Sequence, residues 1–152
     1  MFRSLCKSFQ YAFSGLWYCI RTQRNFRIHM VFALTVLLVS GGYRLTRAES
    51  ICLLLTIALV MLLEMVNTAI EKTVDAGCEG YNEHAKIAKD VAAGAVLISA
   101  MFSVAVAAVL FLRQAELCAL IGYIVAHPWM WGAIALYVVG CAWFIRGKKV
   151  EQ

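Results

Sequence analysis

Ile51-Cys-Leu-Leu-Leu-Thr-Ile-Ala-Leu-Val-Met-Leu-Leu-Glu64-Met-Val-Asn67-Thr-Ala-Ile-Glu71-Lys-Thr-Val-Asp75 decides the fold of this chain. Its first part is almost entirely apolar, and the polar residues that follow are not scattered. At about 100° per residue in an α-helix, steps of three, seven and eleven bring Asn67, Glu71 and Asp75 round to nearly the azimuth of Glu64. Three acids and an amide therefore share one stripe of one helix.

The rest of the sequence identifies the surroundings of that helix as lipid. Of the 152 residues 62% are hydrophobic and 15% charged, and the mean hydropathy is +0.76, far from an ordinary soluble domain. A transmembrane helix needs about 20 mostly apolar residues. Four candidates stand out: 28–43, which is short and needs its flanks or a tilt to span, then 51–74, 91–112 and 117–145, the last interrupted by His127-Pro128 and spanning properly from Trp129. No small-residue cleavage site follows the first segment, so the chain is expected to stay in the membrane as one domain with little room for a soluble module.

Lys and Arg near the helix ends set the orientation. Arg3, Lys7, Arg21, Arg24, Arg27, Lys72, Lys86, Lys89, Arg146, Lys148 and Lys149 fall on one side, and only Arg44, Arg47 and Arg113 on the other. The richer side is expected to be cytoplasmic, with both termini and the loop 77–90. Ahead of the first span, Leu5, Phe9, Ala12, Phe13, Leu16, Trp17 and Ile20 recur at helical spacing with Arg3, Lys7, Gln10 and Ser14 between them, the pattern of an amphipathic helix lying in the interface. The net charge of +5 fits anionic headgroups and needs no nucleic acid.

Cysteines 6, 19, 52, 78, 118 and 141 show no metal-ligand spacing and read as small hydrophobes, a Cys52–Cys118 bridge being the one conceivable pair. Ala95, Ser99, Ser103 and Ala107, at four-residue steps, suit close helix packing in lipid.

Several ionisable groups on one face are costly in hydrocarbon, which makes a functional site the default reading of the stripe. Glu64 lies deepest and Asp75 reaches the interface, a gradient suited to a hydrophobic substrate meeting a water-soluble one. Across the loop, Lys86, Lys89 and Asp90 open the third span. Lys beside carboxylates can hold a polyphosphate with Mg²⁺, although such residues also occur as ordinary interfacial groups. No Walker A, kinase glycine loop or GxGxxG motif is present. The residues alone lead to a small membrane enzyme or carrier with an acidic site.

The run Glu64-Met-Val-Asn67-Thr-Ala-Ile-Glu71-Lys-Thr-Val-Asp75, followed by Ala85-Lys-Ile-Ala-Lys89-Asp90-Val-Ala-Ala-Gly-Ala-Val96, resembles the prokaryotic integral-membrane diacylglycerol kinase family. The segment Arg24-Asn-Phe-Arg-Ile-His29 looks like its undecaprenol kinase branch. The resemblance covers about residues 2–112. It implies an all-α integral membrane protein: an N-terminal amphipathic surface helix and a three-span kinase core over 1–112, with 113–152 an additional C-terminal transmembrane helix and basic tail. It further implies a homotrimer in the bacterial inner membrane, with composite sites that transfer the γ-phosphate of ATP to a lipid primary hydroxyl with Mg²⁺. Carried over by position, Glu64 is the general base and Glu71 a ligand of the ATP-bound Mg²⁺. Asn67 and Asp75 order the site, Lys89 neutralises phosphate, Asp90 holds the nucleotide, and Tyr11 lies against it.

This chain departs from the family pattern in places. A metal-binding Glu of the family aligns with Gln23, at best a neutral ligand. A Glu-Tyr-His loop aligns with Gly80-Tyr81-Asn82, with Glu79 and His84 close by, and an early Arg with Ser4, next to Arg3. The fourth span is also additional. A proton-coupled carrier and a non-catalytic relative are the competing readings; the complete set Glu64, Asn67, Glu71, Lys89 and Asp90 favours the lipid kinase.

Overall fold

The computed structural model describes residues 2–77 and 80–147; Cys78, Glu79, Lys148 and Lys149 lie outside the described residues, as do the side chains of Arg3 and Ser4. The described chain is entirely helical: α1 (Phe2–Thr22), α2 (Arg24–Ser40), α3 (Arg47–Gly77), α4 (Glu83–Phe111), α5 (Gln114–Ala126) and α6 (Trp129–Arg146). By length and composition α3, α4 and α6 can each cross a membrane. The 17 residues of α2 extend about 25 Å at 1.5 Å per residue, a little short of a hydrocarbon core of about 30 Å, as the short first segment implies.

The antiparallel pair α3 and α4 forms the body of the fold, with α2 against α3 and α6 against α2. The buried stripe of α3 runs Leu53, Thr56, Val60, Glu64, Asn67, continuing the azimuth of the acidic residues into the apolar half of the helix. On α4 the buried positions are Ala92, Val96, Ser99 and Leu110. Ser99 belongs to the small-residue stripe predicted for close packing, but Ala95 is exposed, because the packed face at that end passes through Ala92 and Val96 instead.

Each turn is closed by an identifiable interaction. Between α2 and α3, Thr46 and Glu49 form a capping box: the Glu49 amide donates to Thr46 Oγ1 and the Thr46 amide to Glu49 Oε2 at 2.7 Å. At the same end Arg113 pairs with Glu49, and Tyr43 donates its hydroxyl to the Phe111 carbonyl at 2.8 Å, satisfying an otherwise unpaired acceptor at the end of α4. At the opposite end Gly80 takes φ +85°, open to glycine at little cost, and Asn82 Oδ1 accepts the Ala85 amide as the N-cap of α4. The loop residues that depart from the family pattern thus have local structural work in this turn.

A bend at Gln23 separates α1 from α2. Arg27, 6% exposed, folds back across it and donates Nη1 to the carbonyls of Ile20 and Arg21, which end α1. Phe26 is fully buried beside it. The other face of α1 exposes Leu5, Phe9, Phe13 and Trp17, the apolar stripe expected of an interfacial helix.

The chain breaks at His127-Pro128, separating α5 from α6 as the sequence predicts. Leu120 of α5 lies against Gly42 at the end of α2. α6 then runs back along α2: Thr35 Oγ1 and Tyr137 Oη share a hydrogen bond of 2.7 Å, and Gly147 reaches the Arg27 guanidinium. The end of α6 therefore returns to the end of the bundle where α1 meets α2. The thiols of Cys52 and Cys118 are free, so the conceivable bridge is not formed.

Replacing Asn82 by Ala should lower stability by about 1 kcal/mol through loss of the N-cap, with Asn82→Asp close to the parent. Helix content followed against denaturant in detergent micelles reads this out, and equal midpoints for all three proteins would exclude the cap.

Candidate active site

Helix length places the site at one end of the bundle. At 31 and 29 residues, α3 and α4 are about 46 and 43 Å long, well beyond a hydrocarbon core of about 30 Å. If the core is entered at Ile51, just inside the Glu49–Arg113 pair, about 30 Å of rise is used up near Glu71. Glu64 then lies about 10 Å inside that boundary, and the last turns of α3 and first turns of α4 project beyond it together.

Burial follows the same gradient. Glu64 is 3% exposed and Asn67 7%, Glu71 is half-buried, and Asp75 is exposed. A carboxylate this far from water in a membrane helix is costly unless protein groups surround it. Asn67 Nδ2 donates to Glu71 Oε1 at 2.9 Å, one helical turn on, and so holds that carboxylate. Asn67 Oδ1 is buried with no hydrogen-bond partner. A buried acceptor without a donor is costly, which suits an atom that awaits a ligand. Farther out, Lys89 of α4 donates to Asp75 Oδ1 at 2.5 Å across the two projecting ends.

α1 covers the inner part of this stripe. The Cys19 thiol is buried and hydrogen-bonded to Thr68, whose own hydroxyl donates to the Glu64 carbonyl at 2.9 Å. Burial, opposed by the Thr68 bond and reinforced by the Glu64 charge, pushes the thiol pKa up, so Cys19 stays neutral beside the acid. One turn farther along α3 the Lys72 ammonium stands 6.0 Å from the centre of the Tyr18 ring. Neither Cys19 nor Tyr18 stands out in the sequence as part of this site. The only sequence signal was Cys19 on the polar flank of an amphipathic helix, and its meeting with Glu64 depends on the bend at Gln23.

The remaining expected residues are not joined to the stripe within one chain. Gln23 lies at the α1–α2 bend, its amide nitrogen donating to Thr22 Oγ1 at 3.2 Å. Tyr11 is 74% exposed, seven residues and about 10 Å along α1 from Tyr18. Asp90 is exposed near the start of α4. Among the described residues, no group of three or more His, Cys, Asp or Glu side chains is arranged to hold a metal. The Glu71 carboxylate and the unpaired Asn67 oxygen are nonetheless hard oxygen donors of the kind Mg²⁺ takes, commonly one or two carboxylates with substrate phosphate and water supplying the rest.

A carboxylate buried in a membrane helix, followed outward by an amide–carboxylate pair and a charged helix end, is an arrangement suited to a membrane enzyme with one lipid and one water-soluble reactant. The sequence pattern of the prokaryotic diacylglycerol kinase family, whose members phosphorylate membrane lipids, matches residues 10–111, and the chain belongs to that family. It is 46% identical over 110 residues to a diacylglycerol kinase of Synechocystis, a match spanning 72% of this chain and 63% of that protein. It is 41% identical over 108 residues to the undecaprenol kinase of Bacillus subtilis, spanning 71% of this chain and 88% of that one. The diacylglycerol kinase of Escherichia coli K12 is 29% identical over 103 residues, 68% and 84% of the two chains. The matched region ends with α4, so α5 and α6 lie outside it.

The Lys89–Asp75 pair is solvent-screened. Lys89→Met should therefore leave the unfolding midpoint in micelles unmoved while turnover falls; a lowered midpoint would instead make the pair a structural tie.

Proposed function

We propose that this chain is an ATP-dependent lipid kinase in which Glu64 is the general base. The carrying observation is the buried Glu64 carboxylate two turns from Glu71 on the same stripe, with Asn67 fixing Glu71 between them. A lipid alcohol diffusing in the bilayer can bring its hydroxyl from the interface inward to Glu64. Glu64 takes the hydroxyl proton as the oxygen attacks the γ-phosphorus, and the bond to the departing ADP oxygen breaks. Phosphoryl transfer asks the protein mainly for alignment and charge neutralisation, and the outer stripe is built for both.

Glu71, with the Asn67 oxygen, would hold a Mg²⁺ ion, whose charge offsets that of the phosphates. Lys89 leaves Asp75 to neutralise phosphate, and Asp90 and Tyr11 bind nucleotide. Because Tyr11, Gln23 and Asp90 are not joined to the stripe within one chain, a site completed between subunits of a homotrimer is the arrangement we favour. The acceptor is undecaprenol or diacylglycerol, the names carried by the relatives, and the Arg24–His29 run favours undecaprenol. The excess of Lys and Arg at the end bearing Lys72 and Lys89 supports a cytoplasmic site with both termini on that side.

The deciding experiment is transfer from labelled ATP in Mg²⁺-containing mixed micelles with undecaprenol and diacylglycerol offered in parallel. The labelled lipid names the acceptor, and Glu64→Gln should remove the label while the protein stays folded. Label persisting in Glu64→Gln would dismiss Glu64 as the base. Gln23→Glu should lower the Mg²⁺ concentration giving half-maximal rate; an unchanged Mg²⁺ dependence would take Gln23 out of the metal site.

A further inference from the structure

Lys72 is a cation beside this site to which the reading above gives no role. It follows Glu71 directly, about 100° round the helix, so it flanks the acidic stripe rather than lying on it. Its ammonium is over the Tyr18 ring at 6.0 Å, on the side of α3 that faces α1, and it is close enough to Asp75, three residues on, to act on that carboxylate. Lys89 approaches the same carboxylate from α4. Lys89 on α4 thus pairs with Asp75 and Lys72 on α3 bears on the same carboxylate through its charge, while a third helix, α1, presents the ring near Lys72.

We propose that Lys72 is a second phosphate-binding residue of the nucleotide site, positioned by Tyr18. This inference rests on the kinase reading. ATP brings about four negative charges to an end of the bundle that already carries Glu71, Asp75 and Asp90, about seven in all, of which Lys89 and a divalent ion offset about three. An ammonium located near an aromatic face is pre-positioned at little entropic cost, and its N–H groups can turn to an incoming phosphate oxygen. With Lys72 on the α1 side and Lys89 on the α4 side, the polyphosphate lies across the outer end of α3, between the two.

Lys72→Met keeps the aliphatic stem over Tyr18 and removes the charge. We expect KM for ATP to rise by about tenfold, the scale of one lost charge-assisted hydrogen bond, with KM for the lipid unchanged, and Lys72→Arg to recover most of the loss. Tyr18→Leu should raise KM for ATP and Tyr18→Phe should not. Independently of turnover, displacement of a fluorescent nucleotide by inorganic tripolyphosphate should weaken in Lys72→Met. If the parent transfers phosphate and the ATP KM and tripolyphosphate competition of Lys72→Met stay within about twofold of the parent, Lys72 does not bind phosphate. Equal rises in both KM values, or a loss that Lys72→Arg fails to recover, would make the residue a structural tie of α1 to α3. If Lys72→Met does not fold, Lys72→Arg and the two Tyr18 variants decide on the same criteria. A parent that binds the nucleotide without labelling any lipid would overturn the kinase reading while leaving the tripolyphosphate result to judge Lys72.

Discussion

The structure is organised around the need to keep Glu64 and Asn67 away from lipid tails. A carboxylate facing hydrocarbon is far more costly than one walled in by protein, so α3 has only one acceptable rotation, with the stripe Leu53–Thr56–Val60–Glu64–Asn67 turned inward. That rotation fixes which face of α4 packs against it and leaves Leu54, Leu55, Leu59 and Leu62 of α3 exposed on the outside. Because hydrophobicity cannot drive one apolar helix against another in a bilayer, the buried polar groups also define the register. Thr56, Thr68, Ser99 and Ser103 return their hydroxyls to their own helix backbones, so none of them carries an unsatisfied donor into the core.

Rotation alone does not bring Asp75 and Lys89 together. That follows from the lengths of α3 and α4, which overshoot the hydrocarbon at the same end, where the chain passes from one to the other through Gly80 and Asn82. Lys89 and Asp75 meet in that overhang. The same end receives α1, folded back at Gln23 and fixed by Arg27, whose guanidinium occupies the carbonyls that a helix terminus otherwise leaves to water. Cys19 and Tyr18 thereby reach α3 beside Thr68 and Lys72, and the inner part of the acidic stripe acquires a lid of protein on the side where α3 meets the interface.

The α5–α6 extension keeps its distance from this chemistry. Its ties are to α2, through Tyr137 and Thr35 at mid-height and Gly147 against Arg27 at the site end. A single interhelical hydrogen bond within a membrane is worth only about 0.6 kcal/mol, so the attachment depends on apolar packing along α2 as well. α6 buries no residue fully and exposes Trp129, Trp131 and Trp143 near its two ends, where indole rings favour the interfaces. Contact with Arg27 connects this extension to the bend on which the placement of α1 depends.

The sequence by itself determined the helical membrane class, the break at His127-Pro128, the amphipathic character of α1 and the common face of Glu64, Asn67, Glu71 and Asp75. All of these are consequences of helical periodicity and hydropathy, which operate within one segment, and the family pattern was legible because its spacing is local as well. Tertiary structure decided what periodicity cannot express. The packed face of α4 passes through Ala92 and Val96 rather than Ala95, because the partner helix selects the face. Asn82 and Gly80, which depart from the family pattern, cap and turn the chain. Cys19 and Tyr18 gained their places beside Glu64 and Lys72 because a bend at Gln23, closed by Arg27, folds α1 onto α3. Contacts between residues some fifty positions apart depend on the angles between helices, and those angles are set by packing rather than by any single segment.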